Sequence, residues 1–412
     1  MQTHAQGFDY PSIAEVECPF PTLSRIREAG SVHQVGENRY LVSHYEDVEF
    51  VLRREDLFTG CSEERLNPFD WPGPEPVPEH SLTSTGMVKN VIELDPPHHK
   101  ARRDRMFQLL KPARVRGYRP WIEEIVDGLI DGFIDDGRVE LMTQFAYPMP
   151  TQLIIRILGL SPEDFPWMHA WGIAEWKGGE QYLTDDMVEG QKPHILDAGP
   201  RITAEILKRV EQPTDDGLSE TIQAQIAADG AFNLGIVRAD LGQFVGAGIT
   251  TTGHLVSSAM LTLVENPALM AEMRADTSRL RIFLEESLRA DSPLQWIPRV
   301  ARKDTEIAGV RIPKGAYLIT MIASANRDAA KWGEDAEEFC PHRANAIDHL
   351  AFGKGPHFCI GAPLGRLEAH IAFERLFARL DDIRLAAGTQ PSHLVSPTFR
   401  GLADLQLEFD RA

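Results

Sequence analysis

Phe352-Gly353-Lys354-Gly355-Pro356-His357-Phe358-Cys359-Ile360-Gly361 is the stretch on which the reading of this chain turns. A single cysteine sits among glycines. The apolar positions that follow (Leu364, Leu367, Ile371, Phe373, Leu376, Leu380) are spaced as on a helix. A thiolate is a good ligand for iron, and one cysteine is enough to hold heme iron. The sulfur must then stay anionic in a dry site, which backbone N–H groups and the N-terminus of a following helix favour. Glycines permit a tight turn and the close approach of a flat ligand. The plainer alternative is a glycine-rich turn with a buried free cysteine acting as a small hydrophobe. A lone Gly-x-Gly would leave that alternative ahead, but here the whole pattern Phe-Gly-x-Gly-x-His-x-Cys-x-Gly is filled.

The rest of the chain bounds what such a loop can serve. The 412 residues carry a formal net charge of −19, and 43% are hydrophobic. This is a globular composition, and it disfavours nucleic-acid or anionic-membrane binding, which rests on Lys and Arg. Cys18, Cys61, Cys340 and Cys359 are too few for a disulfide framework and form no Cys-x-x-Cys pair. A reducing, cytoplasmic setting is expected, and the N-terminus has no signal-peptide pattern. Leu241 to Val264 lacks Asp, Glu, Lys and Arg and is long enough to span a bilayer. Its glycines, His254 and three adjacent threonines instead predict a buried helix with a polar face toward a cavity.

A short strand is predicted at 39–43 and a helix from Tyr45 to Leu52. The prolines between 68 and 78 exclude a helix there. That stretch is either a stiff surface loop or, with Phe69 and Trp71, a loop covering a pocket. From Asp95 to about Ala387 the pattern is mostly helical. A break at 306–321 reads as short strands around Ile307, Val310 and Ile312, and the alternation at 405–409 predicts a C-terminal strand.

The filled cysteine pattern resembles the heme-binding signature of the cytochrome P450 superfamily. The resemblance extends in order along the chain. Glu286-Ser287-Leu288-Arg289 and Phe339-Cys340-Pro341-His342-Arg343 are similar to the two segments that give the family its structural Glu-Arg-Arg triad. Asp95-Pro96-Pro97-His98-His99-Lys100-Ala101-Arg102-Arg103 resembles the segment whose His and Arg bind heme propionates, which implies those roles for His99 and Arg103. Arg299 and His357 match two further propionate ligands, and Phe352 and Gly248 match cofactor-contacting positions. Two propionates are negatively charged, and Arg offers them a bidentate fork.

Ala247-Gly248-Ile249-Thr250-Thr251-Thr252 is similar to the family's oxygen-activating motif. Thr251 matches the alcohol that helps deliver protons. Thr250 occupies the place where the family carries an acid, which is a departure. Back-bonding of threonine hydroxyls to helix carbonyls is the ordinary alternative for such a cluster.

The resemblance implies a mainly α fold with a minor β part, one domain over 1–412 with an irregular N-terminus over about 1–15. It implies heme b (iron protoporphyrin IX), with Cys359 as the metal ligand. Substrate contacts are implied for Trp71, Met87, Phe244, Ala247, Leu294, Trp296, Ile297 and Phe399, and a mobile lid for Trp167, Trp171, Trp176 and Gly178-Gly179. The implied activity is a soluble, bacterial-type monooxygenase. It would place one atom of dioxygen into a small apolar or aromatic substrate, with electrons from a ferredoxin and ferredoxin reductase. Lys100, Arg102, Arg103, Arg105, Lys111, Arg114 and Arg116 form a basic run that could receive an acidic ferredoxin or could be a solvated helix face. Two other readings stay open: a peroxide-driven or rearranging heme-thiolate enzyme, and a non-enzymatic heme-binding sensor.

Overall fold

The computed structural model of the protein describes residues 17–60, 91–177, 185–394, 396 and 398–412. The expectations for Trp71, Met87, Phe69, Cys61 and Gly178-Gly179, and for the irregular segment 1–15, lie outside the described residues, as does the side chain of Trp176.

The charge-free stretch sits inside the helix Leu234–Val264, which starts where the Asn233 side chain accepts a hydrogen bond from the Ile236 N–H at 3.1 Å. This central helix packs against Pro148–Leu158, Phe165–Lys177, Leu280–Ala290 and Ala362–Arg379. Small residues let the neighbours come close: a Cβ at Gly172 would lie 2.2 Å from Ile249 Cδ1. Burial on nearly all sides explains the run of apolar and small residues. Among the described residues no helix is long and apolar enough to cross a membrane.

Trp167 and Trp171, expected in a lid, are core residues, each 2% exposed with ring centroids 6.3 Å apart. Both belong to the main core, and their i, i+4 spacing on Phe165–Lys177 buries them together.

A five-stranded sheet lies to one side, in the order Val32–Gly36, Arg39–Val42, Tyr317–Thr320, Ile297–Ala301, Phe58–Thr59. Its one parallel pair runs from Arg39↔Tyr317 to Val42↔Thr320. Every residue of the central strand Tyr317–Thr320 is buried, as expected for a strand covered on both faces. A second sheet joins Arg138–Glu140, Gln406–Arg411 and Leu380–Leu385. Leu380, spaced as the last turn of the preceding helix, is the first residue of that strand and pairs with Arg411. The i, i+4 step from Leu376 mimics a helix, but the alternation after it is a strand pattern.

A buried charge cluster ties the helix Leu280–Ala290 to the segment 326–343. Arg289 Nε and Nη2 donate to the two oxygens of Glu286 at 2.7 and 2.8 Å, and Arg343 Nε and the Cys340 N–H donate to Oε1 at 3.2 and 2.8 Å. The rest of the Arg289 fork reaches the carbonyls of Asn326, Ala336 and Glu338. Glu286 and Arg289 are fully buried, and both carboxylate oxygens and every guanidinium nitrogen of Arg289 are engaged, so the cluster meets the condition for charge to survive in the interior. The Glu-x-x-Arg and Phe-x-Pro-x-Arg segments thus do meet.

Candidate active site

The cysteine loop is folded by local contacts. The Cys359 N–H donates to the Phe352 carbonyl at 2.8 Å, closing the loop on itself. Gly355 has φ +71°, and a Cβ there would lie 2.8 Å from the Leu52 carbonyl oxygen, so the loop lies flat on the helix Tyr45–Arg53 only with glycine. Gly361 then caps the helix Ala362–Arg379. Burial pushes the Cys359 thiol up, opposed by the Gly361 and Ala362 backbone N–H groups and by the Arg103 guanidinium. The sulfur is therefore half-buried, surrounded by donors and cations, and in need of a cation of its own to stay ionised.

The cationic residues of the implied propionate set converge beside the loop. His99 and His357 stack with ring centroids 3.8 Å apart. Arg103 Nη2 donates to the Phe358 carbonyl. Burial pushes Arg299 down to about 10, with Asp95 opposing, and pushes His357 down to about 3, helped by Arg299, His99 and Arg103. Burial and Arg103 also lower His99, whose Nε2 is buried with no partner among the described residues. Asp95 is itself held by the Thr59 hydroxyl and by Arg302. Four basic groups thus face one another with little anionic compensation, an arrangement that an anion completes.

On the other side lies the central helix. Between Leu241 and Leu255 only Gln243, Phe244, Ala247, Gly248 and Thr251 retain exposure, an i, i+1, i+4, i+5, i+8 stripe facing internal space. Thr251 Oγ1 donates to the Ala247 carbonyl at 2.7 Å. Thr250 is 8% exposed and its hydroxyl has no partner among the described residues. Gly248 also serves packing, because a Cβ there would lie 2.8 Å from Ile154 Cδ1. The central helix and Ala362–Arg379 meet at Gly365 and Thr252, where Thr252 Oγ1 lies 3.6 Å from a Cβ position, an ordinary van der Waals distance.

The remaining expected site residues divide. Phe352 stacks edge-on with Phe358, and the Arg366 guanidinium lies 4.4 Å over its ring. Ile297 Cδ1 lies 3.8 Å from a Cβ position at Gly353, against the loop. Leu294 forms an isolated bridge with Phe399, whose ring lies 6.3 Å from His254. Phe244 packs on the main core beside Met106 and Leu109. Trp296 does not join them. It is 5% exposed and packs with Leu23, Ile26, Leu41 and Ile319. Trp296 immediately precedes the strand Ile297–Ala301 and packs in a different cluster from Ile297.

The basic run is mostly consumed internally. Arg102 is buried and pairs with Asp240 at 2.6 Å, Arg105 pairs with Asp229 at 3.0 Å, and Arg114 and Lys100 pair with Glu220 and Asp104. Only Lys111 and Arg116 stay exposed with no ion pair among the described residues.

Sequence reasoning missed Glu368. It lies one turn past Gly365, is 3% exposed, and burial pushes its carboxyl up to about 8. A carboxylate on a mostly helical pattern reads as surface; only the apolar neighbours Ala369, Ile371 and Ala372 hinted at burial.

The donor set fits heme: a lone cysteine under two backbone N–H groups, two arginines beside two neutral imidazoles, one with an orphaned nitrogen, and a helix stripe that includes Ala247, Gly248 and Thr251. Known proteins agree. A family profile described as Cytochrome P450 matches residues 191–381. The chain is 30% identical over 408 residues to cytochrome P450 monooxygenase PikC of Streptomyces venezuelae, covering 95% of this chain and 91% of that one. It is 31% identical to the vitamin D(3) 25-hydroxylase of Pseudonocardia autotrophica over 83% of this chain and 82% of the relative. The structure of cytochrome P450 CYP109Q5 from Chondromyces apiculatus superposes with a TM-score of 0.82 at 29% identity, covering 97% of each chain. The cysteine loop, the buried Glu286 cluster and these relatives point the same way, and the chain belongs to the cytochrome P450 superfamily and is a heme-binding oxygenase.

Proposed function

We propose that this enzyme inserts one atom of dioxygen into a small apolar or aromatic substrate, with electrons from a ferredoxin and its reductase. The observation that carries the reading is that Ala362–Arg379, which Cys359 heads, packs on the central helix that bears the Phe244–Thr251 stripe, with Gly365 and Thr252 in contact between them. Heme, when bound, supplies dioxygen activation at an iron that the Cys359 thiolate ligates.

The chain's own residues do the rest. The N–H groups of Gly361 and Ala362 stabilise the sulfur's negative charge. Arg103, Arg299, His357 and the free Nε2 of His99 hold the propionates, and the anions in turn relieve the mutual repulsion of the cluster. Phe352 covers the cysteine side, and Gly248 leaves the other side open. In this reading Phe244, Ala247, Leu294, Ile297 and Phe399 contribute the apolar lining that excludes water and selects by shape. The name of the Pseudonocardia relative, a hydroxylase, supports oxygen insertion into an apolar skeleton.

Thr251 Oγ1 spends its own proton on Ala247, which leaves its lone pairs to accept a proton arriving along the helix. Thr250 passes a proton but stores none. The missing acid also favours a second reading, a peroxide-driven or rearranging enzyme. The NAD(P)H, oxygen and product balance in the reconstituted system separates the two, because peroxide-driven chemistry consumes neither NAD(P)H nor oxygen.

The test begins with a spectroscopic screen for compounds that displace water from the ferric heme, followed by product formed per NAD(P)H. Thr251→Ala should divert electrons to hydrogen peroxide, and Thr250→Asp should raise the oxidation rate with coupling intact. A Thr251→Ala enzyme that couples as well as its parent removes Thr251 from the relay. Electron delivery by an acidic ferredoxin should weaken as salt rises.

A further inference from the structure

Beyond Thr251 the central helix carries a polar row that apolar packing does not call for. Thr250, His254 and Ser258 stand at i, i+4 and i+8, on one face. All three are buried, and Thr250 Oγ1, His254 Nδ1 and Ser258 Oγ have no hydrogen-bond partner among the described residues. Isolated orphans are uncommon in folded interiors, and three in register on one face call for a common explanation. His254 also stands three residues past Thr251, so the row adjoins both threonines of the oxygen-activating motif.

The row is built around the imidazole. His254 Nε2 and the Tyr147 hydroxyl are 3.1 Å apart, which holds the ring and leaves Nδ1 as its unpaired nitrogen. Two glycines make space for this pair. A Cβ at Gly253 would lie 2.6 Å from Tyr147 Cδ1, and one at Gly401 would lie 2.3 Å from His254 Cδ2. At the far end, Ser258 stands beside the Asp291 carboxylate, whose proton affinity is lowered, against the effect of burial, by Arg400, His393 and the Ser258 hydroxyl. Asp291 is paired with Arg400, has His393 nearby, and its side chain is 24% exposed. The charged and titratable groups around the row are thus Tyr147, Asp291, Arg400 and His393.

We propose that Thr250, His254 and Ser258 anchor a file of ordered water that carries protons from solvent, by way of the Asp291 carboxylate at the protein's edge, to the hydroxyls of Thr250 and Thr251, in place of the acid that position 250 lacks. Three aligned polar atoms, each short of a partner, are what buried water satisfies. His254 acts as a positioning residue and not as the carrier: burial pushes it down to about 4, so it stays neutral at pH 7. Protons pass between water oxygens and hydroxyls, each accepting one and releasing one, and Asp291 is reprotonated from solvent.

This inference rests on the monooxygenase reading, and its test keeps the two apart. A high-resolution crystal structure of the heme-loaded parent should show water bridging Thr250 Oγ1, His254 Nδ1 and Ser258 Oγ. His254→Leu should lose that water, and His254→Asn, which returns a polar group near the Nδ1 position, should keep it. With ferredoxin, reductase, NADPH and dioxygen but no added substrate, oxygen ends as peroxide or, with two further electrons from NADPH and two further protons, as water. The peroxide share should rise several-fold in His254→Leu and in Ser258→Ala and stay near the parent in His254→Asn. A dry row in the parent overturns the proposal. So does a peroxide share that rises in Thr251→Ala but in neither His254→Leu nor Ser258→Ala. If Thr251→Ala itself leaves the share unchanged, it is the reading of Thr251 that fails.

Discussion

Replacing Glu368 by glutamine should stabilise this protein, and more so as the pH rises. The carboxyl lies on Ala362–Arg379, 3% exposed, next to the turn where Gly365 receives Thr252. No cation opposes its burial, which alone pushes it from 4.5 up to about 8. In the unfolded chain it ionises near its ordinary value. Below that value both states are protonated and folding carries no penalty. As the pH climbs from about 4.5 through about 8 the unfolded state releases its proton first, so stability is lost across that window. Each tenfold change in proton affinity between the two states is worth roughly 1.4 kcal/mol, which places the penalty at about 3 kcal/mol at pH 7 and about 5 kcal/mol once the folded carboxyl also ionises. Glutamine keeps the shape and never ionises. Urea unfolding of parent and Glu368→Gln between about pH 5 and pH 9 checks this, with the slopes compared to confirm that both expose the same surface. The difference in unfolding free energy should grow with pH by several kcal/mol. A difference that stays flat refutes the reasoning and means that the carboxyl is ionised or solvated in the folded enzyme. The functional corollary is that Glu368 carries a proton at neutral pH, within one helical turn of the Gly365–Thr252 contact.

Reduced Cys359→Ala with carbon monoxide should lack the red-shifted Soret band of thiolate ligation, whereas Cys18→Ala and Cys340→Ala, whose side chains lie outside the loop, should retain it. Glu286→Gln should cost about 3–5 kcal/mol in urea unfolding, because it leaves the buried Arg289 without its carboxylate. Asp104→Asn, which breaks the exposed i, i+4 pair with Lys100, should cost no more than about 0.5 kcal/mol by the same measurement. Arg102→Glu should destabilise the fold, since it opposes Asp240 inside the protein, and Lys111→Glu should leave unfolding unchanged.

What the sequence determined by itself is local. The cysteine loop depends on glycines, a proline and a cysteine within ten positions, so its turn and the helix after it are written in consecutive residues. The central helix is legible because two dozen residues without charge have nowhere to go but the interior. The Glu286 cluster is legible only through the family resemblance, because Glu-x-x-Arg on a helix is usually a surface pair and burial is not in the motif. Tertiary structure decided the rest, by choosing which face of each element is covered. Arg102 and Arg103 are neighbours in sequence, yet one helix step of about 100° sends the first into an ion pair with Asp240 and the second to the Phe358 carbonyl. Trp296 and Ile297 part at the start of a strand, one to the N-terminal core and one to the cysteine loop. His254 and Tyr147 are 107 residues apart and meet only because Gly253 and Gly401 leave them room. Glu368 is a buried acid and not a solvated one for the same reason: its face of Ala362–Arg379 is a covered one, and the helix does not encode that choice alone.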